Sequence, residues 1–300
     1  MSLMAAGSVA IAAGLDRLVA EPPGRLHPVA WLGRLLRPLD RQWPRPRLAG
    51  AAIALLVPLL AAGSVATVVA LCERVDPLLG AAVAGLGCFV ATSRRMLLDE
   101  ARAVVTASET DLPAARQRLR SLAGRDATDL SASEVRSAAV ESAAENLSDG
   151  LVAPLAGFAL LAPLSLPAAA GAAAWVKAVN TLDSTFGYHS VAIGWAPARL
   201  DDIVMWAPAR ASAALLAVAA GRPAALRDAR PFARRPASPN AGWPMATLAV
   251  LLGVRLTKAG AYDLNPSATL PTPADADRGV TVVSRAGWLA FGLAGVIALC

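Results

Sequence analysis

Apolar positions along the chain fall into runs too long for a soluble core, separated by polar segments of marked character. Leu48 to Leu71 holds 24 residues without a charge, enough to cross a ~30 Å hydrocarbon core as a helix. A short polar turn, Glu73-Arg74-Val75-Asp76-Pro77, follows it, and Leu78 to Thr92 is apolar again until Arg94-Arg95. Together these runs predict a membrane hairpin. Leu3 to Leu15 is a third apolar run, whose 13 residues reach only about 20 Å as a helix. It has no basic leading segment, which predicts a retained helix rather than a cleaved signal peptide. Leu151 to Val176 is interrupted by Pro163 and Pro167. That interruption predicts either one kinked span or a re-entrant pair lining a protected cavity; the re-entrant form is expected, because it leaves the polar flanks in one compartment. Ile203 to Ala220, Trp243 to Leu256 and Ala286 to Cys300 complete the apolar set.

The polar segments differ among themselves. Asp16 to Arg47 is rich in Pro and Arg, which breaks long helices and marks a cytoplasmic loop. Arg94 to Asp149 spaces its apolar residues as an amphipathic helical pair broken at Gly124-Arg125-Asp126. Within it Ser131 and Glu134 have the spacing of a capping box. Gly221 to Gly242 reads as a basic, Pro-rich loop and Gly260 to Arg285 as polar and turn-rich.

Composition supports the membrane reading. Of 300 residues 56% are hydrophobic and 17% charged, with mean hydropathy +0.50, whereas soluble domains carry about 25% charged residues. The net charge of +6 is almost all arginine, since Lys occurs only at 177 and 258. Few aromatics and no basic recognition helix exclude nucleic-acid binding. Cys72, Cys88 and Cys300 form neither a disulfide framework nor a zinc site. The fold class expected is all-α: a polytopic membrane protein with short or re-entrant hydrophobic helices, one domain over 1–300 with a polar helical insertion at about 94–149.

Three constellations carry candidate chemistry. Glu141, Glu145 and Asp149 recur every four residues, which places them on one helical face, beside Asn146 and Ser148. They are either hard ligands for magnesium or a solvated surface. Lys177, Asn180 and Asp183 are the first polar groups after the broken apolar run, where charge is costly and tends to be functional or paired; the alternative is an interfacial anchor. Arg199, Asp201 and Asp202, with Arg210 inside the next apolar run, suit a metal and a bidentate anion contact or a self-neutralising cluster. His27 and the rigid turn around Asn240 are weaker features.

These stretches together resemble the CobD/CbiB family of cobalamin biosynthesis. The likeness rests on Leu26-His27-Pro28-Val29 with Gly33, Gly124-Arg125-Asp126, Glu141 to Pro154, Lys177 to Tyr188, Gly194 to Arg210 and Ser238 to Pro244. The resemblance implies an adenosylcobinamide-phosphate synthase, a carbon–nitrogen ligase that joins adenosylcobyric acid to aminopropanol or its phosphate with ATP and Mg2+. On that reading Lys177, Asp183, Arg199 and Arg210 are expected to be catalytic. Substrate binding is expected of His27, Arg125, Asn146, Asn180, Tyr188 and Asn240, and metal binding of Glu141, Glu145, Asp149, Asp201 and Asp202. The expected partners are the corrinoid, the aminopropanol phosphate, membrane lipid, and either further copies of the chain or later cobalamin-assembly enzymes. The expected location is the inner or plasma membrane, multi-pass, with a cytoplasmic active face. A non-catalytic sensor or corrinoid-binding membrane protein is the competing reading, and the number of metal-type acids argues against it. The chain departs from the family pattern at Ala20-Glu21, where Gly-Asp is usual, at Met205, often Asn, and at Met245, often Glu.

Overall fold

The hydropathy pattern resolves almost entirely into helices. The computed structural model describes residues 2–124, 126–187 and 192–300. In chain order the helices are α1 (Ser2–Val19), α2 (Pro28–Leu36), α3 (Pro46–Val75), α4 (Pro77–Ala91), α5 (Arg95–Thr110), α6 (Leu112–Leu122) and α7 (Ala132–Leu147). They continue as α8 (Ala153–Leu161), α9 (Leu166–Phe186), α10 (Trp195–Val204), α11 (Trp206–Ala219), α12 (Ala225–Ala229), α13 (Gly242–Leu252) and α14 (Pro273–Leu299). Among the described residues four helical stretches are long and apolar enough to cross a membrane: α1, α3, the run Pro77–Thr110 and α14. Counting α10 and α11 as one broken span adds a fifth. The chain is a polytopic membrane protein of the all-α class, as its pattern predicts.

Two details correct the sequence reading. The 260–285 segment is not turn-rich throughout, because α14 begins at Pro273. Thr272 and Asp275 cap it reciprocally: the Thr272 amide donates to Asp275 (3.0 Å) and the Asp275 amide to the Thr272 hydroxyl (3.2 Å). Just before it, β1 (Leu256–Lys258) and β2 (Tyr262–Leu264) pair as a small antiparallel ribbon where the sequence predicts only turns, a minor addition to an all-α fold.

The chain, expected as one domain with an insertion, divides into two compact units. The first comprises Met1–Ser93, Asp149–Met205 and Ala290–Cys300. Here Asp76 ends α3 and caps α4, its carboxylate accepting from the amides of Leu78 (2.8 Å) and Leu79 (3.0 Å); this makes the predicted hairpin turn. The Leu151–Val176 run folds as a helical hairpin rather than one kinked span. Pro163 lies in the connection, and Pro167 occupies the first turn of α9, whose N-cap Ser165 accepts from the Ala168 amide (3.2 Å). Gly157 of α8 has no side chain because a Cβ there would stand 3.1 Å from Val176 and 3.2 Å from the Ala172 carbonyl of α9. Such close backbone approach is how helices associate where no hydrophobic effect drives them together. Met205, one of the family departures, is buried with Ala153 and Val176.

The second unit comprises Arg94–Ser148 and Trp206–Leu289. Its core joins Val104 of α5, Ala115 and Leu119 of α6, and Val135, Ala138 and Ala139 of α7. The predicted helical pair is three helices, since Asp111 ends α5 and caps α6 through the Ala114 amide (3.0 Å). The capping box at Ser131 and Glu134 is present as predicted. Arg94, which reads as a stop charge, is buried instead: it donates to the Ser284 hydroxyl (3.1 Å) and lies 4.2 Å above the Trp288 ring.

Candidate functional site

The first unit gathers most of the predicted chemistry. α9 presents Lys177, Asn180 and Asp183 at intervals of three residues, all half-buried. Its end is fixed by Gly187, whose amide donates to the Asp183 carbonyl (2.6 Å). A Cβ at Gly187 would overlap the Asp183 carboxylate, so the glycine is what leaves that side chain room. α10 presents Arg199, Asp201 and Asp202, with Arg199 3.5 Å from Asp202. A π-type turn, Ser148–Val152, carries Asp149; such turns recur at functional sites.

Charge in this unit is concentrated around Asp201. Asp149, Asp183 and Asp202 are near enough for their charges to oppose its own. One Asp201 oxygen, Oδ1, is buried without a hydrogen-bond partner. Lys177 has Glu21 and Asp149 as opposite charges and lies near His27. His27 caps α2: its Nδ1 accepts from the Val29 amide (3.2 Å), which leaves Nε2 to face Glu21 at 3.7 Å. Burial holds the His27 imidazole below its ordinary value of 6.5, Glu21 opposes this and Lys177 adds to it. Glu21 is thus a partner of two predicted residues that the sequence reading left without a role. Tyr188 lies outside the described residues.

The second unit holds the remaining predicted residues. Glu141 is 1% exposed, so it does not belong to a wet helix face. Its carboxylate accepts from the hydroxyls of Ser137 (2.8 Å) and Tyr262 (2.8 Å), while the Thr257 amide donates to Ser137 (2.9 Å). Met245, the other buried family departure, brings its sulfur to 3.9 Å from the same Tyr262 hydroxyl. Glu145 and Asn146 are half-buried on the same helix, and Asn146 donates to the Ser142 carbonyl (3.0 Å). Arg210 donates to Asn240 (2.9 Å) and to the Trp206 carbonyl (2.7 Å), and its guanidinium lies 4.6 Å and 5.2 Å from the rings of Trp206 and Trp243. The expected substrate contact Asn240 is therefore Arg210's partner. Arg125 lies outside the described residues.

The five expected metal ligands are shared out between the units: Asp149, Asp201 and Asp202 in the first, Glu141 and Glu145 in the second. Among the described residues no group of three or more His, Cys, Asp or Glu side chains stands ready to hold a metal ion.

Comparison with known proteins addresses the family directly. The model of the family described as CobD/Cbib protein matches residues 9–286. The cobalamin biosynthesis protein CobD of Rhodobacter capsulatus is 36% identical over 307 aligned residues, covering 94% of this chain and 93% of the relative. That of Geobacter metallireducens is 38% identical, covering 90% and 87%. A probable cobalamin biosynthesis protein CobD from Methanothrix thermoacetophila is 32% identical, covering 94% and 93%. No solved structure matches the chain. With the family's model running from α1 into α14, and three relatives above 30% identity covered over most of their length, this chain belongs to the CobD/CbiB family.

Proposed function

We propose that the chain works in cobalamin biosynthesis as an ATP-dependent ligase. It would form the amide between a carboxylate of adenosylcobyric acid and aminopropanol or its phosphate, on the cytoplasmic face of the inner or plasma membrane. The relatives' names supply the biosynthetic context. The observation that carries the chemistry is the buried, unpartnered Asp201 oxygen among three further aspartates, in the same unit as Lys177.

The donor set fits magnesium. It offers only hard oxygens, and one of them lacks a partner. Mg2+ is usually held by one or two carboxylates, with waters and substrate phosphates completing its shell, rather than by an all-protein cage. A cluster without three ready ligands agrees with that habit. Asp201 with one of its neighbours Asp149, Asp183 or Asp202 would hold the ion, and its charge when bound would neutralise phosphoryl oxygens. Glu141 suits this role least, because its oxygens already accept two hydroxyl hydrogens.

Amide formation from a carboxylate needs an activated acyl group. The corrinoid carboxylate attacks the γ-phosphorus of ATP, the bond to the bridging oxygen breaks, and ADP leaves. The amine nitrogen then attacks the acyl carbon, gives up a proton and expels phosphate. Lys177 and Arg199 would contact the phosphoryl or carboxylate oxygens as negative charge builds. The purified protein in detergent should convert adenosylcobyric acid and aminopropanol phosphate to the amide only with ATP and magnesium present. Absence of product with every nucleotide supplied would end the ligase reading.

A further inference from the structure

We infer that α2 and the arginines around it form a docking surface for an anionic phospholipid leaflet. The inner face of α2 is accounted for: Leu32 and Leu36 pack against Ile53 and Val57 of α3 and Leu182 and Phe186 of α9. The outer face is apolar and open, with Leu26 60%, Trp31 45% and Leu35 72% exposed. Trp31 and Leu35 are one helical turn apart, and the Trp31 indole N–H is already bonded to the Arg25 carbonyl (2.9 Å), so the ring presents carbon rather than an unmet donor.

Charge complementarity selects the occupant. Arg25, Arg34, Arg37, Arg41, Arg45 and Arg47 are exposed, and none has a carboxylate partner among the described residues. The Arg41 guanidinium carbon lies over the Trp43 ring, 4.4 Å from its centre. Six unpaired guanidiniums beside an exposed Trp and Leu face are the composition of a helix that lies in a membrane interface. Clusters of four to eight basic residues next to a spanning helix are attracted to anionic headgroups. Position agrees, because Leu32 and Leu36 share their apolar cluster with Ile53 and Val57 of α3, a helix long and apolar enough to span. The interface of the bilayer that α3 enters is therefore within reach of Trp31 and Leu35. A neutral protein partner would leave the six charges unmatched.

The test uses the full chain with its three cysteines replaced and a nitroxide placed at Leu35→Cys, or at Leu26→Cys as a second site. It is reconstituted in vesicles of phosphatidylcholine alone or mixed with phosphatidylglycerol. In the anionic vesicles the label should sit roughly 5–10 Å below the phosphates, with high oxygen and low nickel-chelate collision rates. In pure phosphatidylcholine, or at about 0.5 M salt where charges are screened, it should move toward water. Replacing Arg34, Arg37, Arg41 and Arg45 together with Gln should abolish the difference between the two lipids; these side chains are exposed, and a thermal scan checks that the variant remains folded. A label open to the nickel chelate in both vesicles would overturn the inference, as would equal depth in both. Dipolar broadening between labels would overturn it in favour of a second copy of the chain.

Discussion

A buried carboxylate oxygen without a donor costs about 1–3 kcal/mol, and Asp201 adds three like-charged neighbours to that cost. Replacing it with Asn puts a permanently neutral side chain among them, so that no charge has to be suppressed there. Without metal, Asp201→Asn is therefore expected to melt at a higher temperature than the native protein. With millimolar magnesium only the native protein should gain stability, and the ligase rate of the variant should fall about 100-fold, the usual cost of losing one charge-stabilising group. A variant that keeps both the magnesium effect and the rate would remove Asp201 from the site. His27 has a separate signature. Its folded value lies below 6.5, so the unfolded chain binds the proton more readily. The stability it contributes is full above pH 6.5 and is lost as pH falls through the lower folded value. His27→Asn keeps an N-cap side chain and should flatten the melting temperature between pH 7 and pH 5. Unchanged pH dependence in that variant would place the titrating group elsewhere.

At the scale of elements, local signals were readable and distant ones were not. Ser131 and Glu134 set the start of α7, and the box is there: Ser131 donates its amide to Glu134 (2.8 Å) and accepts from the Glu134 amide (3.4 Å). The Ser131 hydroxyl and amide hold Glu134 below its ordinary value of 4.5, against the opposing effect of burial. This contribution is full above pH 4.5 and disappears as pH falls through the folded value. Ser131→Ala should cost about 1 kcal/mol at pH 7 and progressively less in acid, as denaturant unfolding of the second unit would register. Asp76-Pro77 and Pro163 were legible for the same reason, since caps and prolines act within a few residues. The environment of Glu141 was not, because its donor Tyr262 lies 121 residues along the chain. The ribbon bearing Tyr262 is two strands of three residues, too short to announce a period. The start of α14 was missed although Thr272 and Asp275 have cap spacing, because polar residues on both sides masked the helical pattern. Arg210 read equally well as a phosphate ligand or a partner for Asp201 or Asp202; the tryptophans and Asn240 that hold it are set by packing, not by spacing.

For the molecule as a whole, arginine placement is the most informative property. The segment between α1 and α3 is rich in arginine, and α3 with α4, inserted as a hairpin, returns the chain to the side it left. Residues after Gln42 and after Arg120 should therefore share the cytoplasm, and alkaline phosphatase fused at either point should be inactive. An active fusion at one of the two would break the hairpin assignment.

Lysine placement has a different consequence. Among 300 residues only Lys177 and Lys258 carry side-chain amines; Lys258 is exposed and Lys177 half-buried. An amine-selective reagent thus meets a chain with one reporter and one internal standard. An anion seated against Lys177 should slow acylation there and leave Lys258 unchanged. The ratio of the two modified peptides then measures occupancy without a turnover assay, a radiolabel or an accurate protein concentration. A ratio indifferent to ATP and corrinoid together would mean that neither ligand approaches Lys177.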